Sequence, residues 1–400
     1  MKAEALYTSP NALAPHYRRF RVAERLLLTG HSHQAWPDAG FAAQQEAWLD
    51  AAEHVDDKWS RAFAMADRVR RGFARLLDDP DGAIALGANT HELVVRWLSA
   101  LPLARRPRLV TTDGEFHTIR RQLDRLAEEG ITVVRVPALP AASLAARLTH
   151  ALDDRTAAVL VSAVLYENAN VVPSLGDVLD ACRKVGAELL VDAYHALNVA
   201  PFSLREDRLT GAFVVGGGYK YCQLGEGNCF LRIPAGCTLR PVITGWFSEF
   251  ETLAAEDPAT PVAYGPGAAR FAGATYDPTS HYRAARVFDF FEEHGLTPAL
   301  LRGVSQHQVE LLTRSFDALD ADPRVITRDR SVPVRALGGF LALRSSRAGE
   351  LCRRLRDHGV LTDHRGDVLR LGPAPYLSDA QLRNAVEALG SALRAEEILE

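Results

Sequence analysis

Lysine is scarce in this sequence. Only four of its 46 basic residues are lysines (Lys2, Lys58, Lys184 and Lys220), and the other 42 are arginines. Lys220 nevertheless follows an apolar run and three glycines, in VVGGGYKYCQLGEG (214–227). This placement suggests that the position needs an amine, because a guanidinium cannot replace an amine in covalent chemistry. The alternative explanation is a codon bias against lysine that Lys220 has escaped by chance.

Other absences exclude whole classes of protein. No apolar run reaches the ~18 residues that a membrane span requires, and no N-terminal segment has the form of a signal peptide. The five cysteines form no CxxC pair and are odd in number, which suits free thiols in a reducing cytosol. The formal net charge of −4 gives no general attraction to nucleic acid or anionic membranes. We therefore expect a cytoplasmic protein without either kind of partner.

Short apolar runs alternate with stretches of helical periodicity, which predicts a parallel sheet with crossover helices. Predicted strands cover residues 84–86, 108–112, 132–136, 157–163, 188–192, 212–217 and 228–233. Predicted helices cover residues 92–101, 118–130, 175–186 and about 280–294, with a final helix from Ser378. Residues 234–278 are rich in Pro, Gly and aromatics, which predicts an ordered loop at a site or interface. The remaining C-terminal part predicts a smaller α+β domain.

Asp192 and Lys220 each follow a predicted strand. Asp192 ends ELLVD (188–192), and Lys220 comes just after the next apolar run, AFVVGG (212–217). Ligands bind at the carboxyl ends of strands in open parallel sheets, so both side chains should face one crevice. Pyridoxal phosphate (PLP) needs this pair, because a lysine holds it as a Schiff base and a carboxylate partners its pyridinium nitrogen. By itself, Asp192 is explained better as a helix cap or turn residue.

PLP also needs a phosphate site and contacts for its ring and its substrate. No GxxxxGK[ST] or GxGxxG motif occurs, which argues against a P-loop or dinucleotide fold. LGANTHELVVRWL (86–98) predicts a helix that begins near Asn89 or Thr90, where an anion can bind, although ordinary capping explains it as well. Phe116 is a candidate for stacking on the ring, and Arg370 for binding a carboxylate. A core phenylalanine and a structural ion pair are the alternatives.

Two other classes of protein remain open at this point. GHSH (30–33) follows an apolar run, and a His-x-His pair after a strand has a metal-ligand spacing. A metal-dependent hydrolase would use His31, His33 and Lys220, but the short chain before residue 26 argues against a βα barrel. Gln34 stands where a serine-hydrolase GxSxG motif needs glycine. A non-catalytic binding protein would leave the Asp192–Lys220 pair unexplained.

The order of the motifs resembles that of kynureninases, which are fold type I PLP enzymes of the class V aminotransferase group. The resemblance spans nearly the whole chain and rests on LTGHSHQAWPD (28–38), VDAYHA (191–196), GGYKY (217–221), ITGWFSEF (243–250), RFAGAT (270–275) and GVLTDHRGDVLRLGPAPY (359–376). It implies an α/β fold: a large PLP-binding domain (46–290) with a mainly parallel seven-stranded sheet and a smaller C-terminal α+β domain (291–400). An N-terminal segment (1–45) would pack on the small domain.

The resemblance also implies roles for individual residues. Lys220 would form the Schiff base and carry protons, with Asp192 and Tyr219 as its catalytic partners. The remaining cofactor contacts would come from Asn89, Thr90, Phe116, His195, Trp246 and Thr275. His195 and Tyr219 are expected near the phosphate, and the glycines before Lys220 should let the backbone approach the cofactor.

The substrate and the assembly follow from the same resemblance. Arg370 would bind the substrate α-carboxylate, with His31 and Ser32 in the substrate pocket. Trp246 and Thr275 would reach the phosphate of the neighbouring subunit's cofactor, which implies a homodimer with shared active sites. The implied reaction is hydrolysis of L-kynurenine to anthranilate and L-alanine, and a class V aminotransferase or another PLP lyase is the alternative.

Three segments depart from the kynureninase pattern. The family's Phe-Pro-Ser/Thr-Asp is FHTI (116–119) here, so a polar contact near the ring is lost or supplied elsewhere. The family's Gly-Asn-Ser-Leu-Gly is GHSHQ (30–34), and a histidine of the family is replaced by Glu249. These departures bear on the substrate more than on the cofactor.

Overall fold

The computed structural model describes residues 1–252 and 261–394. The parts of the predicted loop and small domain at 253–260 and 395–400 lie outside the described residues. The strands found are β1 (Leu26–Leu27), β2 (Ala83–Gly87), β3 (Arg108–Thr112), β4 (Thr132–Val136), β5 (Thr156–Ser162), β6 (Glu188–Asp192), β7 (Phe213–Gly217), β8 (Cys229–Ile233), β9 (Leu341–Arg344), β10 (Val360–Leu361), β11 (Asp363–Arg365) and β12 (Val368–Leu371).

The α-helices of the described residues are α1 (Asp38–His54), α2 (Trp59–Leu76), α3 (Thr90–Ser99), α4 (His117–Glu128), α5 (Leu144–His150), α6 (Leu175–Val185), α7 (Thr279–Glu293), α8 (Pro298–Asp317), α9 (Ala348–Asp357) and α10 (Asp379–Arg394). Short 3-10 helices cover Ala3–Leu6, Ala14–His16, Arg18–Phe20, Val22–Glu24, Ala141–Ser143, Trp246–Thr252, Gly267–Phe271 and Val334–Ala336. None of the helices in these ranges is long and apolar enough to cross a membrane.

Strands β2 to β8 form a single sheet in the order β2-β8-β7-β6-β5-β3-β4. β8 runs antiparallel to both of its neighbours, and the other pairs are parallel. The predicted α/β fold with a mainly parallel seven-stranded sheet is therefore confirmed. All seven predicted strands are present, and β3, β4 and β6 begin and end at the predicted residues.

The sheet lies between two apolar layers, which explains why its central strands are apolar on both faces. In β5, every residue is buried. Val159 and Val161 pack into one core cluster, while Ala158 and Leu160 pack into the other. Alternate residues of a strand point to opposite faces, so helices on both sides are required to cover them.

The C-terminal part is built on a second, antiparallel sheet in the order β11-β12-β9. Helix α8 packs against β9, α9 packs against β11 and β12, and α10 packs against α8 and α9. The bounds of the smaller domain stay a prediction. The N-terminal segment joins this part of the chain, since β1 pairs with β10 and Thr29 bridges to Gly372. These contacts bring residues 28–34 to the same edge of the large sheet as Lys220, because Gln34 N–H donates to the Tyr219 carbonyl.

Candidate active site

β6 and β7 are neighbouring parallel strands that end at the same edge of the large sheet. Asp192 is the last residue of β6 and pairs with Val215 in β7. Lys220 follows the end of β7 by three residues. The predicted convergence of an acid and an amine therefore results directly from strand order, as it does in open parallel sheets generally.

The glycines before Lys220 are required by packing within the protein. A Cβ atom on Gly217 would lie 2.5 Å from both Tyr194 Oη and Cys229 Sγ. A Cβ atom on Gly218 would lie 2.6 Å from the Leu224 side chain. Buried side chains of the protein itself therefore fill the space beside these glycines, and the expected close approach of the cofactor to their backbone stays a prediction.

Lys220 is buried, with 6% of its surface exposed. Its Nζ lies 2.6 Å from His195 Nε2 and 4.8 Å, 5.4 Å and 5.7 Å from the ring centres of Tyr194, Phe116 and Tyr219. Burial lowers the pKa of Lys220 well below its usual range; the Asp192 carboxylate opposes this shift. A buried amine of this kind spends more time in the neutral, nucleophilic form.

His195 is buried beside Lys220 and is neutral. Burial lowers its pKa well below the usual range, and the positive charge of Lys220 adds to the effect. Its Nε2 atom faces Lys220, while Nδ1 has no hydrogen-bond partner in the described part of the chain. We expected His195 near the phosphate; the contact found is with the amine, and phosphate contact stays a prediction.

The Asp192 carboxylate has one hydrogen-bond donor among the described residues, the Tyr194 backbone N–H at 2.8 Å. Burial raises the pKa of Asp192, and the nearby positive charge of Lys220 works against this. A buried carboxylate is costly without a cationic or strong donor partner. A protonated pyridine nitrogen is such a donor, so the site fits the partner that the sequence predicts.

Glu115 is a buried carboxylic acid that the sequence reading missed. It is 2% exposed and accepts hydrogen bonds from Thr112 Oγ1, Ser162 N and Ser162 Oγ. Burial raises the pKa of Glu115 to about 7, and the charge of Asp192 adds to this shift. Ser162 is the ladder partner of Asp192 in the sheet, so the two acids are close neighbours.

Phe116 is the residue before α4, and its half-buried ring forms one wall of the site. The ring packs edge-on against Tyr166, with 5.3 Å between centroids. Ile119, which replaces an aspartate of the kynureninase pattern, is 1% exposed and belongs to the apolar core. The acid next to Phe116 is instead Glu115.

The start of α3 has the predicted form. Asn89 caps the helix, because its Oδ1 accepts the Glu92 N–H at 2.9 Å. Thr90 is the first helical residue and lies close to Cys229 of β8. Free backbone N–H groups at such a helix end bind phosphate well. Phosphate binding by Asn89 and Thr90 stays a prediction.

Arg370 is buried in β12, 2% exposed, with its guanidinium hydrogen-bonded on one edge to Asp363. Nη1 donates to the Tyr166 carbonyl at 2.7 Å. His31 Nε2 lies 2.7 Å from Asp363 Oδ1, so the predicted substrate residues His31 and Arg370 meet through one carboxylate. The sequence reading missed Asp363, although it lies in the C-terminal signature.

Ser32 and His33 point away from this cluster. His33 is exposed, stacks on Tyr219 at 4.7 Å and lies 3.6 Å from Glu226. Ser32 Oγ is 3.1 Å from His33 Nδ1. His31 and His33 thus contact different residues. Within residues 1–252 and 261–394, no group of three or more potential metal ligands is found. The geometry does not support the metal-dependent hydrolase.

Trp246 and Thr275 lie on the surface, away from the Lys220 amine. Trp246 is 44% exposed, and Thr275 lines a cavity of about 1240 Å³ beside Gly87 and Ala88, near the start of α3. No hydrogen bond or ring contact joins either residue to Lys220 within the described ranges. Their predicted contact with a neighbouring subunit's cofactor stays a prediction.

Comparison with known proteins is consistent with this geometry. Residues 301–389, which include Asp363 and Arg370, match the family model of the kynureninase C-terminal domain. The chain is 23% identical to a kynureninase of Bacillus mycoides over 99% of this chain and 90% of that protein. It is 22% identical to an uncharacterized aminotransferase, YcbU, of Bacillus subtilis over 91% of this chain and 94% of that protein.

Solved structures share the fold. A C-DES mutant with glycine covalently linked to its PLP cofactor superposes with a TM-score of 0.81 at 17% identity, over 94% of this chain and 98% of that chain. The cysteine desulfurase CsdA of Escherichia coli gives a TM-score of 0.77 at 16% identity, over 96% and 98% of the two chains. The predicted resemblance is therefore confirmed: this is a kynureninase-like chain with the fold of fold type I PLP enzymes, a group whose cofactor is PLP.

Proposed function

We propose that this chain is a PLP-dependent enzyme that hydrolyses the Cβ–Cγ bond of L-kynurenine or a related amino acid. Water and the substrate would give an anthranilate-type product and L-alanine. The observation that carries the proposal is the buried Lys220 amine, which lies 2.6 Å from His195 Nε2 and 5.4 Å from the Phe116 ring centre and is influenced by the charge of Asp192. This arrangement supplies a nucleophilic amine, an acid and an aromatic wall at one sheet edge.

PLP, when bound, withdraws electrons from the substrate Cα and so makes proton loss there possible. Lys220 has two tasks: it holds the cofactor covalently, and its freed amine then carries the Cα proton. Both tasks require a neutral amine, which burial favours by lowering the pKa of Lys220. His195 Nε2, at 2.6 Å, keeps the amine in place.

Asp192 and Phe116 orient the ring in this proposal. Asp192, held by the Tyr194 N–H, would accept a hydrogen bond from the pyridinium N–H and so keep the ring nitrogen protonated. Phe116 lies 5.4 Å from the Lys220 amine and would stack on the ring face. Asn89 and Thr90 would receive the phosphate at the start of α3.

Hydrolysis requires water at the γ-carbonyl carbon after the Cα proton has moved. The Cβ–Cγ bond then breaks: Cγ leaves with the added water as the carboxyl group of the aromatic product, and the electron pair of the bond remains on Cβ. Cβ takes up one proton, and Cα regains the proton that it lost, which completes alanine. Lys220 and Tyr219 are the groups that we assign to these proton transfers. Burial raises the pKa of Tyr219 to about 12, so it stays protonated and able to donate.

We further propose that two copies of the chain form a homodimer with shared sites. Large apolar side chains are exposed between residues 242 and 262: Val242 at 81%, Ile243 at 49%, Trp246 at 44%, Phe250 at 48% and Val262 at 54%. Phe250 also lines the cavity near the start of α3. Such patches mark protein interfaces. The five free cysteines suit a reducing compartment, so we place the enzyme in the cytoplasm.

A PLP aminotransferase or lyase acting on another amino acid is the second candidate. It is favoured by the similarity to YcbU and by Ile119, which puts an apolar residue where kynureninases have an aspartate. Both candidates use Lys220 and Asp192 in the same way. They differ in which bond is broken once the Cα proton has left.

Product analysis separates these candidates. We expect the PLP-loaded protein to convert L-kynurenine to anthranilate and alanine, whereas transfer of the amino group to a keto acid would establish an aminotransferase. Lys220→Ala should abolish the visible absorption of bound cofactor and all turnover, while Lys184→Ala, an exposed lysine of α6, should change neither. A protein that takes up no PLP would refute both candidates.

A further inference from the structure

Asp363 holds the buried guanidinium of Arg370 along one edge. Nε of Arg370 donates to Oδ1 at 2.9 Å, and Nη2 donates to Oδ2. The two residues face each other across the β11–β12 hairpin. Burial alone would raise the pKa of Asp363, but His31 and Arg370 outweigh this and hold the pKa well below its usual range. Asp363 is therefore a permanent anion.

His31 holds Asp363 from the other side. Its Nε2 lies 2.7 Å from Asp363 Oδ1, and burial lowers the pKa of His31 to about 4, so the ring is neutral and donates an N–H. The ring packs on Phe340 with 4.8 Å between centroids. Gly372 makes room for it, because a Cβ atom there would lie 2.1 Å from His31 Nδ1.

Arg370 has two guanidinium N–H groups left after these contacts. A guanidinium has five N–H groups, and Asp363 and the Tyr166 carbonyl accept three of them. One N–H remains on each terminal nitrogen, Nη1 and Nη2, without an acceptor in the described part of the chain. A carboxylate accepts such a pair in a bidentate manner.

We propose that Asp363 and His31 are positioning residues that aim Arg370 at the α-carboxylate of the substrate. The inference rests on the proposed function and adds how its carboxylate site is built. Asp363 fixes the guanidinium plane through two hydrogen bonds, and His31 stops Asp363 from turning away. Together with the bond from Nη1 to the Tyr166 carbonyl, these contacts restrict rotation of the guanidinium, so the free N–H groups of Arg370 keep one orientation.

The test compares the binding of two ligands, L-alanine and L-alaninamide, which differ only in the carboxylate. Binding is measured by the change that each ligand causes in the visible spectrum of the PLP-loaded protein. The wild type should bind L-alanine more tightly. Asp363→Asn loses one charge-assisted bond to Arg370, so we expect alanine to bind about ten- to a hundredfold more weakly. Alaninamide binding and the cofactor spectrum should stay the same.

His31→Phe is the second variant, and it still tests the proposal if Asp363→Asn does not fold. Phenylalanine keeps the ring contact with Phe340 but removes the N–H that holds Asp363. We expect alanine to bind about tenfold more weakly, again without a change for alaninamide.

Asp317→Asn is the matched control. Asp317 holds Arg328 in the same bidentate way, with Nε–Oδ1 at 2.9 Å and Nη2–Oδ2 at 2.6 Å. This pair lies at the end of α8 and should affect neither ligand. A loss of alanine binding in the control would show a general effect of breaking ion pairs and would overturn the assignment.

A double variant decides whether Asp363 acts through Arg370. Arg370→Lys removes the fork, so adding Asp363→Asn to it should weaken alanine binding by no more than a further twofold. Three results would overturn this inference but leave the proposed function standing. The first is a double variant in which the losses of the two single variants multiply. The others are an unchanged alanine affinity in Asp363→Asn, or a tighter one, which would mean that Asp363 competes with the ligand for Arg370. A wild type whose spectrum responds to no amino acid would refute the proposed function as well.

Discussion

Replacing Glu115 by glutamine tests whether the fold keeps this carboxyl group protonated near neutral pH. Burial raises the pKa of Glu115 to about 7 from an ordinary value of 4.5. The folded protein therefore holds a proton that the unfolded chain releases, and the free energy of unfolding falls as pH rises through the folded pKa. When the pH rises from about 5 to about 8, this one group should lower the free energy of unfolding by about 2.5 kcal/mol.

Glutamine reproduces the protonated form. Its carbonyl oxygen can accept from Ser162 N–H and Thr112 Oγ1, as Glu115 Oε1 does, and its amide can donate to Ser162 Oγ. We expect the variant to match the wild type at about pH 5 and to be more stable by about 2.5 kcal/mol at about pH 8. Urea unfolding at both pH values, with equal PLP concentrations, measures the difference.

Glu128→Gln is the matched control, because Glu128 is an exposed residue of α4, with 70% of its side chain accessible. It should show no such pH-dependent gain. The reasoning would be refuted if the gain in the free energy of unfolding of Glu115→Gln over the wild type were equal at the two pH values, or larger at the lower one. An infrared band of a protonated carboxyl group near pH 6, absent from the variant, would support it directly.

Two further predictions concern packing and assembly. In thermal unfolding, Gly217→Ala should destabilise the protein by about 1–3 kcal/mol, because the new Cβ meets buried side chains at 2.5 Å. In the same assay, Gly303→Ala should stabilise the protein by about 0.5–1 kcal/mol, because a Cβ at this position in α8 meets no other atom within 4 Å. Trp246→Glu should raise the dimer dissociation constant in sedimentation at least about tenfold, whereas Trp48→Glu, 78% exposed on α1, should not. A monomeric wild type, or equal effects of the paired variants, would contradict these expectations.

Local pattern was enough to predict the large sheet and the approach of Asp192 to Lys220. An apolar run bounded by turn residues marks a buried strand, and neighbouring parallel strands bring their carboxyl ends together. The partners of Asp363 and Glu115 carry no such local signal. His31 lies 332 residues from Asp363 in sequence, and Ser162 lies 47 residues from Glu115. Such pairs arise only when the chain has folded.

The presence of a lysine rather than an arginine at position 220 also has a physical reason in the structure. Buried arginines are matched by acceptors: Arg232 binds Asp79, and Arg370 binds Asp363. Lys220 is equally buried but has no carboxylate within 4.0 Å in the described ranges, and its near neighbour is a neutral histidine. An arginine there would remain charged and would need a partner, whereas a lysine can release its proton. Burial without an ion pair is therefore the condition that turns Lys220 from a cation into a nucleophile.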